Sequence, residues 1–178
     1  MRITAGSWRG RRLEVPEGIR PTTELARKAA FDILGEAVVG ARVLDACAGS
    51  GAYGLEALSR GAAHATFVEA NRRVAKVLRG NMERLGAGGK SRIEEMSVAR
   101  FEPPPGLYDV VFHDPPFKEI FESDLGLLLS LVRVGGWLFH ERGDDRVFSP
   151  GGLEPADRRR YGTTRFLVFR PQGIRPPC

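Results

Sequence analysis

Short apolar runs alternate with helical patterns along the chain from Arg42 onward. Apolar runs bounded by glycine or polar residues are typical of buried strands, and apolar positions spaced three and four apart are typical of helices. Five segments predict strands: ARVLDACAG, ATFVEA, SRIEEM, YDVVFHD and GGWLFHER. Three intervening segments predict helices: GAYGLEALSRG, NRRVAKVLRGNMERLG and ESDLGLLLSLV. Strands that alternate with helices indicate right-handed crossovers, so we expect an α/β fold with a mostly parallel, doubly wound sheet.

The two ends of the chain depart from this rhythm. Residues 1–20 predict a small β-hairpin arm, because RITAG and RRLEV alternate apolar and polar residues and SWRGR supplies a turn. Near the other end we expect an antiparallel C-terminal strand around Thr164 to Phe169, preceded by RVFSPGGLEPAD as a loop or short strand. We therefore expect an arm at 1–20, one domain at 21–170 and a flexible tail at 171–178.

The segment RPTTELARKAAFDILGE predicts a helix between the arm and the first strand. Threonine often caps the start of a helix, and glycine often ends one. The candidate residues are Thr22 or Thr23 for the cap, Leu25, Ala29 and Ile33 for the apolar face, and Gly35 or Gly40 for the end.

Charge adds information about partners. The net charge is +5, and it is concentrated at the ends: residues 1–30 hold seven Arg and Lys against three Glu, and residues 157–178 hold six Arg against one Asp. The remaining middle is mildly acidic. This distribution favours ends that contact a polyanion, with a pair of solvated tails as the alternative.

Other features of the composition exclude several classes of protein. Cys47 and Cys178 are too few and too far apart to indicate a disulfide framework or a metal site. Apolar runs stay well short of the roughly 18 residues of a membrane span, and the N-terminus lacks the apolar region of a secretory signal. We therefore expect a soluble, cytoplasmic protein without a metal.

The strongest local motif is VLDACAGSGAYG, where a strand gives way to a glycine loop and a helix. Gly49, Gly51 and Gly54 match G-x-G-x-x-G, which lets the backbone approach a ligand at a helix N-terminus. The same spacing serves dinucleotides and other nucleosides, so the glycines alone do not decide the ligand.

Two carboxylates beside this loop favour S-adenosylmethionine over a dinucleotide. Asp45 ends the first strand, where it would repel a pyrophosphate but suit a cationic amino group. Glu69 ends the second strand, where its oxygens can accept bonds from both hydroxyls of a ribose. The alternative is that Asp45 only caps the loop and that Glu69 is a solvated strand end.

The stretch FHDPPF ends the fourth strand on Asp114 and then stiffens it, because Pro115 and Pro116 fix φ near about −65° and remove two donors. These acceptors suit a planar group with an exocyclic amine, and Phe117 offers a ring for stacking. A carboxylate can accept both N1–H and N2–H of guanine, whereas an amide matches adenine better, although backbone carbonyls could also serve. A tight loop with a core phenylalanine is the alternative, and strand alternation points His113 away from Asp114, in a structural role.

These motifs resemble class I S-adenosylmethionine-dependent methyltransferases with the [DNS]-P-P-[YFW] motif. More specifically, the chain resembles the bacterial 16S ribosomal RNA guanine-N2 methyltransferase family over nearly its whole length. The resemblance is carried by MRITAGSWRGRRLEVP, RPTTELARKAAFDIL, VLDACAGSGAYGLEALSRGA, FVEAN, FHDPPF and YGTTRFLVF. It implies a Rossmann-like fold, a 16S rRNA or 30S substrate and a monomer.

The resemblance also assigns roles to individual residues. Asp114 would be the catalytic acceptor, held by Pro115 and Pro116, and Phe117 would stack on the base. The implied cofactor-binding residues are Asp45, Ala48, Gly49, Ser50, Gly51, Glu69, Ala70, Ser97, Val98 and Asp114. The implied RNA-binding residues are Arg2, Arg9, Arg11, Arg12 and Arg20. Where the family often has an acidic or amide residue near the adenine, this chain has Ser97, so either Ser97 or Glu95 would take that role.

Other functions share parts of this pattern. A DNA adenine or cytosine methyltransferase would carry the same loop and proline motif, but the length leaves little room for a target-recognition region. A protein glutamine methyltransferase would have less need of basic ends. A non-catalytic RNA-binding module on the same fold would not need Asp45, Glu69 and Asp114 together.

Overall fold

The computed structural model describes residues 1–18, 23–116, 122–143, 149–161 and 164–171. In these residues the predicted alternation of strands and helices is confirmed. The helices are α1 (Glu24–Leu34), α2 (Ala52–Ser59), α3 (Arg72–Leu85) and α4 (Glu122–Leu131). The strands are β1 (Arg42–Ala46), β2 (His64–Val68), β3 (Ser91–Glu94), β4 (Tyr108–His113), β5 (Val132–Arg142), β6 (Asp157–Tyr161) and β7 (Thr164–Phe169).

The strands form one mixed sheet in the order β3-β2-β1-β4-β5-β7-β6. Strands β1 to β5 run parallel, and β7 runs antiparallel to both β5 and β6. This confirms the α/β class, the mostly parallel sheet and the antiparallel C-terminal strand. The strand order reverses between β1 and β4, so their carboxyl ends flank the crevice where open α/β sheets bind ligands.

Strand β6 was not predicted from the sequence. Its sequence, DRRRY, lacks an apolar period, and its residues are exposed or half-buried. Such a composition suits the edge of a sheet, where charged side chains discourage pairing with another chain. The segment before it lies partly outside the described residues, and its described part contains a short 3₁₀ turn at Pro150–Gly152.

The sheet is covered on both faces. One face packs against α1, α2 and α3 through residues that include Phe31, Leu55, Leu78 and Phe112. The other face packs against α4 through residues that include Leu44, Val111, Leu128 and Leu138. Because neighbouring strand residues point to opposite faces, each helix layer has its own set of core residues.

Helix α1 begins and ends as the sequence predicts. Thr23 is the N-cap, and its hydroxyl accepts a hydrogen bond from Ala26 N at 3.2 Å. Gly35 ends the helix with φ +53°, a conformation that side chains other than glycine rarely adopt. Of the alternatives left open by the sequence, Thr23 and Gly35 are therefore the residues used.

The predicted apolar face of α1 is partly wrong. Leu25 is 58% exposed, and with Ala29 and Ile33 it lines a groove of about 460 Å³ between α1 and β6. Phe31 and Arg27 of α1 are both buried, so they lie on the face of the helix that turns toward the core. The residues that it buries are Ala26, Arg27, Ala29, Ala30, Phe31 and Leu34.

The N-terminal arm folds back on itself and joins the core. Arg2 and Arg12 form an antiparallel bridge, and Ile3 N donates to Arg11 O at 3.0 Å. Ile3 and Leu13 are 1% and 3% exposed and belong to the core under α1 to α3. The division into arm, domain and tail stays a prediction, and residues 19–22 and 172–178 lie outside the described residues.

One carboxylate holds the arm against the helices. Glu56 in α2 is fully buried and accepts hydrogen bonds from Thr4 N, Thr4 Oγ1, Ala5 N and Arg60 Nε, at 2.6 to 3.0 Å. It also forms an ion pair of 3.3 Å with Arg27, which is buried too. Burial lowers the pKa of Arg27, and the charge of Glu56 opposes that shift.

A second set of contacts seats the arm on the end of α2. Ser59 Oγ donates to Ala5 O at 2.6 Å and accepts from Trp8 N at 2.9 Å, and Ser59 O accepts from Ser7 N. A Cβ on Gly6 would lie 1.8 Å from Ser59 O. The backbone of the arm therefore approaches α2 more closely than any side chain would permit.

Candidate functional site

The loop between β1 and α2 has an unusual backbone. Gly49 and Gly51 have φ values of +56° and +82°. Cys47 has φ +61° and is the one non-glycine residue with positive φ among those that the structure describes. A positive φ is strained for a residue other than glycine, and such strain concentrates at binding sites. The backbone of this loop therefore indicates a ligand-binding site.

Hydrogen bonds from three directions fix this loop. Ala48 N donates to Val68 O at 2.9 Å, and Gly49 N donates to Glu69 Oε2 at 2.9 Å. Ser50 O accepts from the amide of Asn81, which is fully buried. Asn81 also bonds the backbone of Glu14 at 2.9 Å, so one side chain connects the arm to the loop.

Gly54, the third glycine of the motif, allows α2 to pack closely against the sheet. A Cβ at this position would lie 2.3 Å from the ring of Phe67 in β2. This is the helix–strand packing role expected for the third glycine of a G-x-G-x-x-G loop.

Asp45 is the central carboxylate of the site. It lies at the end of β1, is 2% exposed and accepts a hydrogen bond from Gly54 N at 2.8 Å. Burial raises its pKa well above the ordinary value, the bond from Gly54 opposes this, and the charges of Asp114 and Glu69 raise the pKa further. Three acidic groups thus converge at the carboxyl ends of β1, β2 and β4, an arrangement that favours a cationic ligand.

Glu69 lies just after β2 and is half-buried. Its Oε1 accepts from Asn71 N at 2.8 Å, in addition to the bond from Gly49 to its Oε2. Glu69 therefore holds the glycine loop against the start of α3. Each carboxylate oxygen retains acceptor capacity, and the bonds from Glu69 to a ribose stay a prediction. Ala70, the next residue, is exposed at the same edge.

Asp114 follows β4 directly and is half-buried, as is Pro115, whereas Pro116 is exposed. Its charge raises the pKa of Asp45 and of Tyr53, so its carboxyl group lies near both. Phe117 lies outside the described residues, and its stacking role stays a prediction. His113 points to the other face, where its ring stacks on His140 at 4.9 Å.

The predicted adenine side of the site lies after β3. Ser97 is exposed and precedes a 3₁₀ turn at Val98–Arg100, and Val98 is buried. Glu95, the alternative residue, forms an ion pair with Arg79. The choice between Ser97 and Glu95 stays a prediction.

A buried polar network beside Asp114 was missed by the sequence analysis. Tyr53 donates its hydroxyl to Glu141 Oε2 at 2.8 Å, and Thr164 donates to Glu141 Oε1 at 3.2 Å. The Tyr53 ring stacks on Phe112 of β4 at 4.5 Å. The network joins α2 to the carboxyl end of β5 and the start of β7. It is formed by polar side chains, so hydrophobic periodicity does not predict it.

The predicted RNA-binding arginines lie on the arm. Arg2, Arg9, Arg11 and Arg12 are all exposed. Arg2 donates to Gly10 O at 2.8 Å and Arg11 donates to Arg84 O at 2.6 Å, so both are positioned by carbonyl groups. Arg20 lies outside the described residues.

Neither a metal-binding cluster nor a membrane-spanning helix occurs in the described residues. No group of three or more His, Cys, Asp or Glu residues among them could hold a metal ion. None of the helices in the described ranges has the length and apolar character needed to cross a membrane.

Comparisons with known proteins agree with this geometry. The model of the conserved hypothetical protein 95 family matches residues 1–170. Ribosomal RNA small subunit methyltransferase D of Escherichia coli K12 is 43% identical over 147 residues, which cover 79% of this chain and 71% of that protein. The putative rRNA methyltransferase YlbH of Bacillus subtilis is 29% identical over 187 residues, with coverage of 97% and 100%.

Solved structures share the fold. The putative methyltransferase yhhF of E. coli has a TM-score of 0.85 and 33% identity, and the match covers 97% of this chain and 98% of that chain. An RNA methyltransferase of Salinibacter ruber, solved with S-adenosyl-L-homocysteine, has a TM-score of 0.69 at 14% identity, with coverage of 88% and 97%, and shows the fold alone. The fold is that of class I S-adenosylmethionine-dependent methyltransferases, and the chain belongs to the conserved hypothetical protein 95 family, a family of ribosomal RNA methyltransferases.

Proposed function

We propose that this protein transfers a methyl group from S-adenosylmethionine to the exocyclic N2 amine of a guanine in small-subunit ribosomal RNA. The observation that carries the proposal is the convergence of Asp45, Glu69 and Asp114 around a strained glycine loop. The names of the relatives, which are rRNA methyltransferases, support the class of substrate.

The donor set of the site fits S-adenosylmethionine. Asp45 is buried beside two other carboxylates, so a ligand with a positive charge relieves their repulsion. The loop of Ala48, Gly49, Ser50 and Gly51 would contact the amino acid part, Glu69 and Ala70 the ribose, and Ser97 and Val98 the adenine. When bound, the cofactor supplies an electrophilic methyl group on a sulfonium sulfur.

Asp114 would orient the base. Its carboxylate can accept N1–H and N2–H of guanine, which raises electron density on N2 and directs its lone pair. Attack by the N2 lone pair on the methyl donor would leave a surplus proton on N2, which Asp114 or water would accept. Pro115 and Pro116 would hold this geometry, and Phe117 would stack on the base.

The base must be accessible for this reaction. A guanine inside an RNA duplex cannot reach Asp114, so the target would lie in a loop or be flipped out of its helix. The arm would supply the phosphate contacts. Because Glu56 and Ser59 fix the arm on α2, its exposed arginines form a surface with a defined position relative to the site. We expect the protein to act as a cytoplasmic monomer on 16S rRNA or the 30S subunit.

Methyl transfer tests the proposal. Labelled S-adenosylmethionine would be supplied with 30S particles and with protein-free 16S RNA from cells that lack this protein, followed by digestion to nucleosides. We expect label in N2-methylguanosine, lost in Asp114→Ala and retained in Asp32→Ala, which removes an exposed carboxylate from α1.

Other outcomes would overturn parts of the proposal. Label in N6-methyladenosine or in protein would keep the cofactor and reject the guanine substrate. An absence of transfer, with RNA binding that does not depend on Asp114, would identify a non-catalytic binding module.

A further inference from the structure

We propose that three cations at the start of α3, namely Arg72, Arg73 and Lys76, form a second RNA-contacting surface. We call them the α3 cations. They would extend the contacts of the arm along α3 to the carboxyl edge of the sheet, where Asp114 lies. The proposal rests on the proposed function, because it concerns how the same substrate RNA is held.

The α3 cations share with the arginines of the arm a lack of acidic partners among the described residues. All three are exposed, and within the described part of the chain they form no ion pair. Several other exposed arginines of the described residues do lie within 4 Å of a carboxylate. The pairs are Arg79 with Glu95, Arg84 with Glu14, Arg92 with Glu94, Arg133 with Asp109, and Arg158 with Glu154. The positive charge of the α3 cations is therefore not neutralised by their neighbours.

Helix stability does not explain these cations. The start of a helix carries partial positive charge, so acidic residues are favourable there and basic residues are not. Helix α1 follows this rule with Glu24 in its first turn, whereas the first turn of α3 holds no acidic residue and begins with Arg72 and Arg73. Residues that oppose local stability are expected at functional surfaces.

Helix α3, which carries the α3 cations, connects the glycine loop to the N-terminal arm. At the start of α3, Asn71 N bonds Glu69, which also holds Gly49 of the glycine loop. Near the end of α3, Arg84 O accepts a bond from Arg11 of the arm. At about 1.5 Å per residue, the helix carries its outward face roughly 16 Å from position 73 to position 84.

The outward face of α3 suits a phosphate backbone better than a protein. Residues 73, 76, 80 and 84 follow helical spacing along this face. Gly80 lies among them, and a Cβ there would meet only the end of Arg84, at 3.9 Å. The core of a protein interface is enriched in aromatic residues and depleted of charge, which is not the composition of this face. A polyanion would contact successive cations along an open path.

The test compares two triple variants that lose the same charge. One replaces Arg72, Arg73 and Lys76 with alanine, and the control replaces Arg42, Arg92 and Arg133, which are exposed and lie at the amino ends of β1, β3 and β5. Binding of protein-free 16S RNA would be measured over a range of salt concentrations, with cofactor affinity measured in parallel. We expect the first variant to bind RNA roughly tenfold or more weakly, with the slope of log K against log salt reduced by about 2 to 3. The control should resemble the wild-type protein, and cofactor affinity should be unchanged in both.

Three outcomes would overturn the inference. Equal behaviour of the two variants would make the α3 cations an ordinary solvated face. A loss of cofactor affinity would show that they act through the cofactor site. A loss of binding to 30S particles with normal binding to protein-free RNA would identify a ribosomal protein as the partner. Each result is independent of whether the wild-type protein methylates N2 of guanine, because binding is measured without turnover.

Discussion

Two carboxylates, Glu56 and Asp45, are buried to nearly the same extent and have opposite surroundings. Glu56 is 0% exposed and Asp45 is 2% exposed. Glu56 accepts four hydrogen bonds and faces the cations Arg27 and Arg60. Asp45 is bonded by a backbone amide and faces the carboxylates of Asp114 and Glu69.

The difference separates a structural charge from a ligand-binding one. Burial of a charge is costly unless a partner compensates for it. The chain supplies that partner for Glu56, whereas at Asp45 the neighbouring charges add to the cost. A buried group whose surroundings oppose its charge indicates a site that is completed by a ligand.

The largest expected effect is on stability, from Glu56→Gln. This change leaves Arg27 buried without an opposite charge, so we expect the free energy of unfolding to fall by about 3 to 5 kcal/mol. Chemical denaturation measures it, with the exposed Glu36→Gln as the control. A loss below about 1 kcal/mol, typical of an exposed pair, would remove the contrast between the two carboxylates.

Asp45→Asn should have the complementary effect. The amide oxygen can still accept from Gly54 N, so stability without ligand should change little. A hydrogen bond to a charged group contributes about 1.5 to 3 kcal/mol, so affinity for S-adenosylmethionine should fall by roughly 10- to 150-fold. Titration calorimetry would measure it, and Asp32→Asn is the matched exposed control. Unchanged affinity would contradict a role for Asp45 in binding the cation.

A smaller effect is expected from Tyr53→Phe. It removes one donor from the buried Glu141, which keeps the bond from Thr164, so we expect a loss of about 1 kcal/mol in unfolding free energy. If Glu141 is structural only, methyl transfer should fall no more than stability predicts. A larger fall in kcat at unchanged KM would indicate that Glu141 contributes to the reaction as well as to stability.

The smallest expected effect is the release of a fraction of a proton when S-adenosylmethionine binds. Because the folded protein raises the pKa of Asp45, stability from this group is present below its unfolded pKa and is lost as pH rises through the folded value. A bound cation lowers that pKa, so binding should release protons, and affinity should increase with pH between the pKa of Asp45 in the bound protein and its pKa in the free protein. Calorimetry in two buffers of different ionisation enthalpy measures the release. It should disappear in Asp45→Asn, and release that persists there would assign it to another group.

Much of the fold could be predicted because its signals are local. Strands β1 to β5 and helices α1 to α4 follow from hydrophobic period, and the cap at Thr23 follows from its position in the sequence. The glycine loop and Asp45 were found because three glycines and a strand-end carboxylate lie within ten residues. Their roles toward the cofactor and RNA stay predictions until they are measured.

The remaining features depend on tertiary contacts. Tyr53 and Glu141 are 88 positions apart, and Asn81 and Glu14 are 67 positions apart, so no short motif connects them. Leu25 was expected in the core because its spacing is helical, but Phe31 and Arg27 determine which face of α1 turns inward. Strand β6 was missed because an edge strand needs no apolar alternation.

The docking of the arm on α2 also sets an order of events during synthesis. Thr4 and Glu56 are 52 positions apart, so Thr4 lacks this partner until α2 has been made. At about 5 to 20 residues per second, this interval lasts roughly three to ten seconds. During that time Arg27 lacks its ion pair with Glu56. The nascent chain therefore cannot seat its arm before α2 has been made, and the bonds of the arm to Asn81 and Arg84 require α3 as well.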